Sequence, residues 1–173
     1  MSLLIRSAVV VSFLSVATNG AAAAQHRYVL ADSNEARDRV KEQLVGFDLP
    51  NDAVGKTSQI QGGIVIGSDG RIVREASRIT VDLRTLTTDQ QMRDNYVRRN
   101  VFRTDSFPTA DFVPTEVKGV SLPLPAAGPH TFDLIGELTL RGVTRPTTWA
   151  VTARRVGDAI VGTATTRFKF ADF

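Results

Sequence analysis

The chain has 173 residues, 42% of them hydrophobic and 23% charged, which is enough apolar material for one packed domain and too much for wholesale disorder. A formal net charge of +3, from 21 basic and 18 acidic side chains, is too balanced to point to a nucleic-acid partner. The absence of cysteine excludes disulfides, thiolate metal sites and cysteine nucleophiles.

Residues 1–24 read as a secretory leader. Arg6 is the sole charge before Arg27, residues 8–17 are apolar apart from Ser12 and Ser15, and Ala22, Ala23 and Ala24 offer small side chains for cleavage before Gln25. The apolar run is shorter than the roughly 20 residues a spanning helix needs. Export with cleavage is therefore expected, giving a periplasmic or secreted domain over residues 25–173 with no transmembrane anchor. Cleavage would lower the net charge to +2.

The segment 32–44 supports two readings. Ser33-Asn-Glu-Ala-Arg begins a run with the propensity of a capped helix, while Val40, Glu42 and Leu44 alternate against Arg39, Lys41 and Gln43 as in a strand. Beyond it, period-2 alternation dominates. Ile60, Gly62, Ile64 and Ile66 share one face, and Ser68-Asp69-Gly70 is a turn signal. Ile79, Val81 and Leu83 alternate with Arg78, Thr80 and Asp82. Residues 89–101 read as a helix, with Met92, Tyr96, Val97 and Val101 at helical spacing, Thr88 or Asp89 as cap, and an Asp94–Arg98 pair one turn apart. The proline-rich 123–129 segment is a loop.

Three further strands follow. Phe132, Leu134, Gly136, Leu138 and Leu140 form one face of the first, and Trp149, Val151 and Ala153 the more apolar face of the second. In the last, Ile160, Gly162, Ala164, Thr166 and Phe168 oppose Val161, Thr163, Thr165, Arg167 and Lys169. Turns are expected at Gly142 and at Gly157-Asp158. Strands in series with one helix, and no βαβ rhythm, predict an antiparallel barrel or sandwich with one buried face per strand.

Recognisable catalytic signatures are scarce. Gly55-Lys56-Thr57 resembles the end of a phosphate loop, but Pro50 stands where the first glycine belongs and a strand-like run follows where a helix is needed. His26 and His130 are the two histidines, with no ligand cluster around either, so no metal site is expected. No serine sits in a Gly-x-Ser-x-Gly elbow. Arg93, Arg98, Arg99 and Arg103 form a cationic stretch that reads first as a solvated helix face and second as a rim for a polar head group. The expectation is a non-enzymatic protein without cofactor.

Several motifs in order resemble the YceI-like proteins. They are Ser77-Arg-Ile-Thr-Val-Asp-Leu-Arg-Thr-Leu86, Arg93-Asp94 at a helix start, Phe107-Pro-Thr-Ala-Asp-Phe112, Gly136-Glu-Leu-Thr-Leu-Arg-Gly-Val-Thr-Arg-Pro146 and Phe170-Ala-Asp-Phe173. The resemblance implies a mainly β, antiparallel lipocalin-like β-barrel with one short α-helix, exported to the bacterial periplasm, that holds a polyisoprenoid such as a quinone tail or prenyl phosphate. Arg93 and Asp94 match the family's Arg–Asp pair. Relatives run on past an Asp-Phe-Gly, whereas this sequence stops at Phe173. Either the sequence is truncated or the barrel is incomplete at its C-terminal end, leaving an open edge and admitting a homodimer.

On this reading the ligand-binding wall comprises Ile60, Ile64, Ile79, Val81, Phe112, Phe132, Leu134, Leu138, Trp149, Val151, Ile160 and Phe168, with Arg93 and Arg98 as head-group contacts. The expected function is binding, sequestration or transport of a long-chain isoprenoid or other lipid. The alternative is a non-catalytic envelope interaction or stress-related module, whose filled core would use the same inward residues.

Overall fold

The computed structural model describes residues 4–15, 25–42 and 51–173. Their strands are β1 (Leu4–Ser15), β2 (His26–Leu30), β3 (Glu35–Glu42), β4 (Asn51–Thr57), β5 (Ile60–Ile66), β6 (Arg78–Asp82), β7 (Thr109–Lys118), β8 (Pro129–Leu140), β9 (Val143–Val156) and β10 (Ala159–Lys169). The sheet order is β10-β9-β8-β7-β6-β5-β2-β1-β3-β4, and β1 also pairs with β10. The result is a curled antiparallel sheet, the mainly β lipocalin-like barrel that the alternation and motifs predict.

The meander β8–β9–β10 shows how local chemistry makes this sheet. Leu140 pairs with Val143 across Arg141-Gly142, and both turn residues have positive φ, 52° and 77°. That is the geometry of a two-residue hairpin whose twist matches its strands. Val156 pairs with Ala159 across Gly157-Asp158. In β7, Pro114 cannot donate to the ladder, and the register with β8 shifts between Pro114 and Glu116.

The ambiguous segment is a strand. β3 pairs with β4 from Ala36↔Thr57 to Glu42↔Asn51, so cross-strand partners override helical propensity. The phosphate-loop-like Gly55-Lys56-Thr57 is accordingly the end of β4, not a loop before a helix. β1 runs along β10 from Leu4↔Lys169 to Leu14↔Ala159, and its other edge meets β3 and β2. With residues 4–15 present, the edge of β10 is therefore covered. Of the segment read as a leader, residues 1–3 and 16–24 lie outside the described residues, as does Leu44 of the alternating run.

The helix is shorter than its spacing predicts. α1 (Gln91–Tyr96) passes into a wider π turn over Val97–Phe102, ending at Arg103 with φ 55°. Met92 and Tyr96 are 85% and 58% exposed, so they are not its buried face. Asp94 and Phe102 are buried instead. The expected Asp94–Arg98 pair is replaced: Asp94 accepts from the Thr88 amide at 2.8 Å and the Thr88 hydroxyl at 2.7 Å. A short polar side chain thus holds the carboxylate that the helix turns inward.

Two buried clusters fill the barrel wall. The larger gathers Ile60, Ile79, Phe112, Leu134, Leu138, Trp149 and Val151 with Ala36, Leu124 and Ala153. The smaller joins Leu83, Leu86, Phe102 and Leu140. Among the described residues no helix is long and apolar enough to cross a membrane.

Candidate ligand-binding cavity

The inward faces of β5 to β10 do not meet. With residues of β2 and β3 they line a hollow whose cavity volume is about 180 Å³ and which opens to solvent. An apolar cavity of about 150 Å³ already admits a benzene-sized guest. Both Phe132 and Leu140 line the hollow. They lie eight residues apart on β8, about 26 Å of strand at the usual rise. The cavity is therefore extended along the strands and suits a chain better than a compact ligand.

All twelve residues proposed for the wall line this hollow. Period-2 alternation brings them there: on β8 the inward set is Phe132, Leu134, Leu138 and Leu140, and on β9 it is Trp149, Val151 and Ala153. At Gly136 a β-carbon would fall 2.7 Å from the Phe112 ring, so the absence of a side chain there lets Phe112 lie across β8. Phe112 then meets the Trp149 ring edge-on, at 5.7 Å and 61°. Trp149 is the single tryptophan of the chain, and its Nε1 is buried without a hydrogen-bond partner.

The wall also holds residues beyond the twelve proposed for it. Leu83, Leu86 and Phe102 form the end nearest α1. Leu83 continues the Ile79 and Val81 alternation just beyond the end of β6, whereas Leu86 and Phe102 come from irregular segments whose inward direction no strand or helix period encodes. Leu83 is placed by Asp82, which accepts from the Arg84 amide at 2.9 Å and pairs with the Arg84 guanidinium at 2.7 Å. That hydrogen-bonded ion pair holds the Asp82 carboxyl below its ordinary value. Phe168 meets Phe170 at 6.0 Å and Phe173 at 5.1 Å, so the C-terminal aromatics pack beside the same end.

Asp38 is the unexpected member. It shares the inward face of β3 with Ala36, is 9% exposed and lines the hollow. Burial pushes its carboxyl up to about 6; backbone amides at Asp38 and Gly55 pull it back, and the Asp94 charge adds to the rise. Its Oδ1 has no hydrogen-bond partner.

Arg93 and Arg98, the expected head-group contacts, are engaged elsewhere and are not among the described lining residues. Arg93 is only 12% exposed at its side chain and pairs with Asp89 at 2.6 Å. Arg98 donates to the Arg84 carbonyl at 3.1 Å and the Leu86 carbonyl at 3.5 Å, fixing the π turn over the hollow's end. Arg37 does line the hollow, and it pairs with Glu35.

A family model described as the YceI-like domain matches residues 32–173. A UPF0312 protein of Pseudomonas putida strain W619 is 36% identical over 108 residues, covering 57% of this chain and 53% of its own. The chain spans about half the length of the curated relatives it matches. The crystal structure of a Campylobacter jejuni YceI protein aligns with a TM-score of 0.54 at 16% identity, covering 76% of this chain and 79% of its own, a likeness of fold. A polyisoprenoid binding domain from Saccharophagus degradans aligns at a TM-score of 0.45 and 14% identity, covering 95% and 97%. The matched residues run from the turn before β3 to Phe173 and include every lining residue of the hollow except Tyr28, and the chain belongs to the YceI-like domain family.

Proposed function

We propose that this protein binds a long-chain isoprenoid or other lipid in its barrel interior, for sequestration or transport, and performs no chemistry on it. The observation that carries this reading is the hollow itself, extended along the strands and lined almost throughout by aliphatic and aromatic side chains. The family resemblance points the same way. Withdrawing hydrocarbon from water contributes about 0.8 kcal/mol per CH₂, so each five-carbon isoprene unit gains about 4 kcal/mol before the ordering costs of binding. A few such units support useful affinity without any polar anchor. The alternative, an envelope interaction module, is compatible with the fold but needs a filled core, and the open hollow favours the first reading.

The same proposal includes export. Cleavage before Gln25 would remove β1 and free the outer edge of β10 for another strand, including that of a second copy. Intact mass and N-terminal sequence of the exported protein decide this: a start at Gln25 supports the leader, and a retained Met1 overturns it.

Native mass spectrometry of protein purified from its own host, followed by organic extraction, tests the binding reading. A copurifying species of isoprenoid or lipid mass is expected. A clean apo mass under gentle conditions, together with no uptake from added isoprenoid, would overturn it.

A further inference from the structure

The α1 segment carries exposed groups that the hollow does not use. Met92 and Tyr96, one turn apart, are 85% and 58% exposed, the two most exposed large hydrophobics among the described residues. Arg99 and Arg103 follow them on the same segment and are also exposed. Arg93 and Arg98 are spent on Asp89 and on backbone carbonyls, while Arg99 makes no such contact and Arg103 lies 5.8 Å from the Phe107 ring. Asp89 pairs with Arg93, and the next acidic residue along the chain after Arg103 is Asp105, exposed two residues beyond it. The surface is thus locally cationic and tipped with a thioether and a phenol.

We infer that this outer face of α1 docks on the surface of an anionic bilayer. Tyrosine suits the boundary between head groups and acyl chains, with its ring in the apolar layer and its hydroxyl outside. Methionine adds apolar surface of adaptable shape. Guanidinium groups pair with lipid phosphates, each contributing about a fivefold gain in partition near an anionic surface. These are the components of an interfacial anchor, here only about one helical turn long. A weak, salt-sensitive, reversible attachment follows.

The position gives the attachment a purpose. Phe102 closes the same segment and, with Leu86, lines the end of the hollow, and Arg98 ties the segment to the Leu86 carbonyl. Docking through Met92 and Tyr96 therefore brings that end of the hollow towards the acyl layer, where long apolar chains reside. The docking surface stands without the carrier reading, whereas the loading route rests on it.

Flotation of the full chain with vesicles of phosphatidylcholine, with and without phosphatidylglycerol, tests the inference. Binding is expected only with phosphatidylglycerol, weakening as salt rises. Met92→Asp and Tyr96→Asp should each lower partition roughly tenfold or more, and Arg99→Gln about fivefold. All three are surface changes, and circular dichroism confirms the fold of each. Failure to float with phosphatidylglycerol vesicles at low salt, or equal flotation of the folded Met92→Asp/Tyr96→Asp variant, overturns the docking surface. So would light scattering that shows a dimer which this double variant dissolves, since a second copy would then own the face. Flotation with no isoprenoid uptake would instead sink the carrier reading and leave the docking surface intact.

Discussion

Asp38 and Gly55 face each other across the β3–β4 ladder, and a carboxylate oxygen of Asp38 occupies the space where a side chain at position 55 would sit. Leu86 closes the same space, 3.1 Å from where that β-carbon would lie. Gly55→Ala must therefore push the Asp38 carboxylate or the Leu86 methyls aside, at a cost of about 1–3 kcal/mol. Asp38→Ala in the same chain vacates the space, so the double variant should be more stable than the sum of single effects predicts. Urea denaturation of the four proteins measures the coupling, and strict additivity would show that the two positions do not compete for this space.

Asp38 also makes stability depend on pH. Its carboxyl rises from an ordinary 3.8 to about 6 on folding, chiefly through burial. Between those values the folded protein holds more protons than the unfolded chain, so this group lowers stability as pH rises from about 4 to about 6 and changes nothing further above that. The shift amounts to about 3 kcal/mol. Asp38→Asn should flatten the decline in that window while leaving the rest of the profile parallel. Identical slopes for the two proteins between pH 4 and 6 would contradict the burial of an ionisable Asp38.

Filling the hollow separates a cavity from a core. Ala164 is inward on β10 and lines the empty space. Ala164→Phe should fold with its melting temperature kept or raised, because the new ring enters a void, yet retain at least tenfold less lipid. Leu138→Asp is the harsher probe and should abolish retention, at a loss of several kcal/mol for burying an unpaired charge. Retained lipid in a folded Leu138→Asp variant would rule out that strand as lining.

How far the sequence speaks differs along the chain, for identifiable reasons. On β8 every second residue from Phe132 to Leu140 is apolar or glycine, and Trp149, Val151 and Ala153 repeat the pattern on β9; Leu134, Leu138, Trp149 and Val151 of the faces so defined are buried. The helix misleads because Met92 and Tyr96 have core-like spacing but Thr88 offers Asp94 two hydrogen bonds, which turns the polar side inward. Leu86 and Phe102 lie on segments without a period, so only their tertiary placement reveals them. Asp38 is concealed by its charge: nothing local says that this carboxylate, flanked by Arg37 and Arg39, faces the barrel interior. Its pairing with Gly55 decides that.

The same geometry supplies a direct reporter. Trp149 is the one indole in the chain, sits on the wall of the hollow and touches the Phe112 ring edge-on, so a guest chain must alter its surroundings. Titration of the full chain with geranylgeraniol, followed by tryptophan emission, should give a saturable change at one equivalent that is lost in Ala164→Phe. Emission that stays constant up to the solubility limit of the alcohol, or that changes equally in Ala164→Phe, would contradict a ligand-holding interior.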